Sequence, residues 1–231
     1  MKNIYVRNIV LFITLAIVSG SCEDDRRTML FLGDSLTSGA GLDEKHAFPA
    51  LVNQQIPEFR VLNQGRPGET TNGFLKNWEN IEDDFPARAD IVFIQLGAND
   101  LAQNGVAQSS VTNCINNMET ILFRLERRFP QAKIVLMSST KIDWSAVSQN
   151  VKDEKYDPEF NGYLSRIAAG YAIIAKNNGY SFVDLNRTVP MGNTLDGAHL
   201  SKSGHKVAAK VIMNFLRLLL AEDPLDSPKQ N

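Results

Sequence analysis

The sequence predicts an α/β domain in which a five-stranded parallel sheet is covered by helices on both faces. Three observations carry that class. Five short apolar runs recur along the chain and stay apolar instead of alternating, as strands buried on both sides do. The segments between them place apolar residues three and four apart, the period of a helix with one buried face. Strand, helix and strand in regular succession demand parallel pairing. A chain of 231 residues with 43% apolar and 22% charged content can bury one core of this kind.

In chain order, "TMLFLG" (28–33) is the first strand and breaks off at Gly33-Asp34-Ser35. "FRVLNQG" (59–65), "DIVFIQLG" (90–97), "KIVLMSS" (133–139) and "YSFVDL" (180–185) are the other four. The clearest helix carries Val111, Ile115, Met118, Leu122, Leu125 and Phe129 as one stripe, and Pro130 stops it. A second runs from about Pro158 to Asn177. A third starts at Ser201 and is expected to bury Val207, Val211, Phe215, Leu218 and Leu219. The domain is therefore expected over residues 28–222, with 223–231 as a loose tail and 22–27 as a short tether.

The first 21 residues read differently. Lys2 and Arg7 precede an apolar run from Ile9 to Val18 and then small residues, the order of a secretory signal. That run is short for a bilayer span. "SGSC" resembles a bacterial lipoprotein box, which makes Cys22 the lipidated first residue and a membrane anchor. Ser19 departs from the aliphatic residue usual there. Glu23-Asp24-Asp25 resembles the export signal of surface lipoproteins in some Gram-negative bacteria. The expected location is outside the cytoplasm, in the periplasm or at the cell surface, with plain secretion as the alternative. Lipidation leaves Cys114 without a disulfide partner, a small hydrophobe in a helix. A net charge of −2 and no basic tract argue against a nucleic-acid partner.

Ligands of parallel sheets sit beyond the carboxyl ends of the strands, and the chemically suggestive residues all fall there. Ser35 follows the first strand, Gly68 the second, Asn99 the third, and Asp196 and His199 the fifth. Each alone has an ordinary explanation: a helix cap, a turn glycine, a loop amide, an Asp-Gly turn. Together they make a nucleophile, a base and a carboxylate to fix the base's tautomer. Of the three histidines, His46 is expected on the first helix and His205 facing solvent. His199 lies in a loop three residues after Asp196, close enough for the carboxylate to reach Nδ1. Ser35 N–H, Gly68 N–H and the Asn99 amide are the candidate oxyanion donors.

"GDSL" at Ser35, the glycine of "GRPGETT", "GAND" at 97–100 and "DGAH" at 196–199 resemble the four signature blocks of the GDSL, or SGNH, hydrolases, in the same order. The resemblance covers essentially the whole domain and looks most like the single-domain thioesterase/lysophospholipase and arylesterase branch. It implies a flavodoxin-like three-layer α/β/α sandwich, with Ser35 as nucleophile, His199 as base and Asp196 as its orienter. Ser35, Gly68 and Asn99 become the oxyanion hole. "GDSLTSG" is neither the G-x-S-x-G elbow nor a P-loop, and no metal or other cofactor is expected.

The expected function is cleavage of carboxylic esters through an acyl-serine intermediate, with short or acetyl groups slightly favoured over long acyl chains. The substrate is a small ester, an acylated carbohydrate or a lipid. Residues 140–160 form a long connection after the fourth strand, where Trp144 and Tyr156 either meet the substrate or anchor the loop. A non-catalytic surface lipoprotein that binds carbohydrate or lipid is the competing reading.

Overall fold

The computed structural model describes residues 26–147 and 158–221. The expected signal segment, Cys22, Tyr156 and the tail 223–231 lie outside the described residues. Among the described residues five parallel strands form one sheet: β1 (Arg27–Gly33), β2 (Phe59–Gly65), β3 (Ile91–Gln95), β4 (Lys133–Met137) and β5 (Ser181–Val183). Their spatial order is β2-β1-β3-β4-β5. This is the flavodoxin-like order, whose switch point lies between β1 and β3. Arg27, read from sequence as tether, is the first residue of β1. It pairs with Phe59, and its guanidinium lies 4.8 Å from that ring's centroid.

Each central strand feeds two cores because successive side chains leave opposite faces. Leu30, Leu32, Val92, Ile94 and Leu136 point one way. They meet α3 (Thr71–Lys76), α4 (Trp78–Glu82), α5 (Ala98–Asn104), α6 (Gln108–Arg128) and α7 (Phe160–Asn178). Met29, Phe31, Phe93, Val135 and Met137 point the other way. There they meet α2 (Phe48–Asn53) and α9 (Lys202–Ala221), with α1 (Ser35–Ser38) and α8 (Leu185–Thr188) at its margin. The continuous apolar runs are thus two buried faces read in alternation.

The helices differ from expectation in detail. α6 buries Cys114 and Ile121 more deeply than Ile115. α9 is rotated from the expected face. It buries Ala208, Ala209, Ile212, Met213 and Leu216, while Val207, Val211, Phe215 and Leu219 are only partly covered and Leu218 is 69% exposed. The small Ala208–Ala209 pair lets the helix settle close to α2 and the sheet, and bulkier residues flank that contact. His205 lies on this buried face, contrary to the solvent position expected for it. It is 1% exposed, and Nδ1 accepts from Phe48 N–H at 3.1 Å. His46 is half-buried in a 3₁₀ turn (Glu44–His46) ahead of α2, not on a first helix.

Candidate active site

The site forms where β1, β2 and β3 end. Gly33 and Gly65 close adjacent strands in register, and α1 presses down onto both. A Cβ on Gly33 would lie 2.2 Å from Thr37 Oγ1, and one on Gly65 would lie 2.3 Å from Ser38 N. Only hydrogen side chains admit that approach. Asp34 caps α1, its Oδ1 accepting from Leu36 N–H at 2.9 Å. Ser35 is therefore the first helical residue, set on the sheet edge with a backbone N–H that has no intrahelical acceptor.

The partner of Ser35 comes from 164 residues away. His199 Nε2 lies 3.1 Å from Ser35 Oγ, and His199 Nδ1 lies 2.7 Å from Asp196 Oδ2. Asp196 Oδ1 accepts from the backbone N–H of Ala198 (2.9 Å) and His199 (2.8 Å). Partial burial pushes the Asp196 carboxyl up. The bonds from the His199 ring and from these two N–H groups outweigh that and hold it below its ordinary range. The loop is pinned at both ends. Thr194 and Leu200 bridge its neck, and Gly197 O accepts from Asp143 N–H at 2.6 Å. Gly197 has φ +91°, and a Cβ there would sit 2.3 Å from Val147 Cγ2. The Asp-Gly turn and the histidine's mount are the same structure.

Gly68 and Asn99 stand on the β2–α3 and β3–α5 connections, which are laced together. Asn99 Nδ2 donates to Glu69 O at 3.0 Å, leaving its second N–H, and Gln103 Nε2 donates to Gly68 O at 2.8 Å. Gly68 has φ +80° with open space where a Cβ would stand, so conformation and not crowding calls for glycine. Beneath them Asp100 accepts from Thr71 N–H (3.0 Å) and Thr71 Oγ1 (2.5 Å), binding the start of α5 to the start of α3. Burial raises the Asp100 carboxyl against the pull of the Thr71 bonds.

A pocket of about 40 Å³ opens beside Ser35, His199 and Asn99. Leu36, Ala98, Ala102, Ile142, Phe160 and Ala198 give it an apolar wall, and Asp34 and Thr140 complete it. Trp144, a candidate substrate contact, does not line it. Its ring packs partly buried against the core that α6 and α7 share, because the chain turns inward at 144–147. Sequence reasoning reached neither Ile142 nor Phe160. Their one signal is position, on the long connection after β4 and at the start of the helix it feeds. Among the described residues no group of three or more histidine, cysteine, aspartate or glutamate side chains is placed to hold a metal ion.

The model of the GDSL-like lipase/acylhydrolase family matches residues 31–207, a span that runs from β1 into α9 and includes every residue of the site. The chain belongs to this family. Among curated relatives it is 29% identical to an arylesterase of Vibrio mimicus over 120 residues, covering 50% of this chain and 56% of that protein. It is 27% identical to the esterase TesA of Pseudomonas aeruginosa over 137 residues, covering 57% of this chain and 64% of that one. The chain thus spans less than two thirds of the length of either. Among solved structures, Est24, a carbohydrate acetylesterase from Sinorhizobium meliloti, superposes with a TM-score of 0.72 at 16% identity, covering 84% of this chain and all (100%) of that one. That likeness establishes the SGNH hydrolase fold.

Proposed function

We propose that this family member is a serine esterase that cleaves short-chain carboxylic esters through an acyl-serine intermediate on Ser35. The observation that carries the reading is the unbroken line Ser35 Oγ–His199 Nε2, His199 Nδ1–Asp196 Oδ2, at 3.1 and 2.7 Å. His199 takes the Ser35 proton as Oγ attacks the ester carbonyl. Ser35 N–H, Gly68 N–H and Asn99 Nδ2 hold the oxyanion. His199 then protonates the departing alcohol, and water repeats the sequence to release the acid. Asp196, kept ionised, fixes the tautomer and stabilises the imidazolium.

The small pocket beside Ser35 and its short apolar walls favour a short acyl group over a long chain. The acetylesterase among the structural neighbours agrees with that preference. The test is turnover of p-nitrophenyl esters from acetate to palmitate by the purified protein and by Ser35→Ala. Serine-dependent activity that falls with chain length is expected. Activity that rises with chain length rejects the short-chain preference, and binding without serine-dependent turnover rejects the esterase.

We also propose that the protein acts outside the cytoplasm, held to a membrane by lipid on Cys22; the support is the order of charge, apolar run and cysteine in residues 1–22. Radiolabelled palmitate should enter the wild-type protein and not Cys22→Ser. Equal labelling of both rejects the anchor.

A further inference from the structure

Gln103 has no part in the chemistry above, yet this exposed side chain bonds to the backbone of a residue that supplies an oxyanion donor. Arg66, Pro67, Gly68 and Glu69 form a β-turn, closed by Glu69 N–H donating to Arg66 O at 3.1 Å. Pro67 stands second in it and Gly68 third with φ +80°, the residues and the angle of a type II turn. The Gly68 N–H takes no part in closing the turn, so it is available to a substrate. Its direction is a separate matter. Glycine rotates more freely than any other residue. Among the described residues nothing lies within 4 Å of the place its Cβ would take, so no packing there keeps the N–H on target.

Restraint comes from either side of the glycine. Before it, the Pro67 ring fixes φ ahead of the peptide that carries the N–H. After it, Gln103 Nε2 donates to Gly68 O at 2.8 Å and Asn99 Nδ2 donates to Glu69 O at 3.0 Å. Asn99 and Gln103 are four residues apart on α5, so they share one face of that helix and grip two consecutive carbonyls of the turn. One bond alone would be a pivot about which the turn could swing. The second, a helical turn away, removes that freedom. The bonds between Thr71 and Asp100 join the same two connections three residues beyond Gly68 and leave the turn itself unheld. Resting on the esterase reading above, we propose that Gln103 is a positioning residue of the oxyanion hole. By holding Gly68 O it fixes the peptide plane beyond the glycine, and so keeps Gly68 N–H aimed at the same point as the Asn99 amide. Donors aimed in advance need no reorganisation in the transition state, and losing one entirely costs about 10²–10³ in kcat.

The experiment compares wild type with Gln103→Met, which keeps the length and loses the donor, and Gln103→Lys, which keeps a donor on a flexible stem. On p-nitrophenyl acetate, Gln103→Met should lower kcat about tenfold and move KM by less than about twofold, the pattern of an interaction made only in the transition state. Gln103→Lys should recover most of that loss. Because the side chain is exposed, both variants should melt within about 2 °C of wild type. A boronic acid that adds to Ser35 Oγ and places a tetrahedral oxygen in the hole should bind Gln103→Met more weakly, by the factor seen in kcat/KM. A kcat for Gln103→Met within about twofold of wild type, or a loss taken in KM instead, overturns the proposal. So does a loss that Gln103→Lys shares in full, or boronate affinity that does not follow kcat/KM; Gln103 is then a surface hydrogen bond and no more. No Ser35-dependent turnover of any ester by the wild type removes the esterase reading itself, and this proposal with it.

Discussion

Asp34 shows how one residue can serve the fold and trouble it at once. Its Oδ1 caps α1, while burial raises its carboxyl to about 7. Between about pH 4 and 7 the folded protein therefore keeps a proton that the unfolded chain has lost, and stability falls as pH rises through that window. Fully ionised, the group costs the fold on the order of 4 kcal/mol. Asp34→Asn keeps an acceptor for Leu36 N–H without the charge. It should gain stability over wild type at pH 8 much more than at pH 5, measured by urea midpoints. A gain equal at both values shows that Asp34 is not buried ionised. Asp196 is the opposite case, a carboxylate that His199 and two backbone N–H groups keep charged. Asp196→Asn should lower kcat roughly 10⁴-fold by favouring the wrong imidazole tautomer, with little change in melting temperature. A loss under tenfold would mean that Asp196 does not orient the base.

Among the elements, α9 and the His199 loop carry the sharpest consequences. His205 joins α9 to α2 through Phe48 N–H, and burial pushes its ring down to about 4. The unfolded chain protonates this histidine near pH 6.5 and the folded one does not. Its contribution is complete above that value and is lost as pH falls toward 4, by on the order of 3 kcal/mol. Asp34 acts in the reverse sense over nearly the same window, so the two contributions oppose each other between pH 4 and 7. Relative to wild type, His205→Gln, which keeps an acceptor, should gain stability as pH falls there, whereas Asp34→Asn should lose it. Parallel profiles for the two variants would contradict both assignments. In the His199 loop, Gly197→Ala places a methyl against Val147 Cγ2 and Asp143 O. A displacement of about 1 Å at the imidazole should cost roughly 100-fold in kcat/KM. Val147→Ala, which removes the nearest obstruction, should restore part of it.

For the whole molecule, the proposed catalytic groups sit on four connections at one edge of a sheet that two cores clamp. Phe31 and Phe93 stack at the centre of the α9-side core, their centroids 4.4 Å apart and their planes within 2°. Phe93→Ala should cost about 3–5 kcal/mol by urea unfolding. It should leave kcat nearly unchanged at 25 °C, because the ring lies under the strand and not at its end. A large fall in kcat without a fall in stability would mean that the core transmits strain to Ser35.

The sequence by itself determined the strand and helix order and the strand ends as the site's location. It also determined the step from Asp196 to His199, because each of these is a local pattern; the tie to Ser35 came from the order of the four family-like blocks. Apolar runs, helical spacing and a three-residue step from carboxylate to imidazole are all written within a few residues. What only the tertiary structure decided depends on distance across the fold. The buried face of α9 and the inward turn of His205 follow from how closely an alanine pair lets that helix approach α2. Trp144 was free to meet a substrate on paper, and the turn at 144–147 gives it to the core. Leu36, Ile142 and Phe160 become one pocket wall because the end of β1, the β4 connection and the start of α7 lie beside one another, a coincidence with no trace in local sequence.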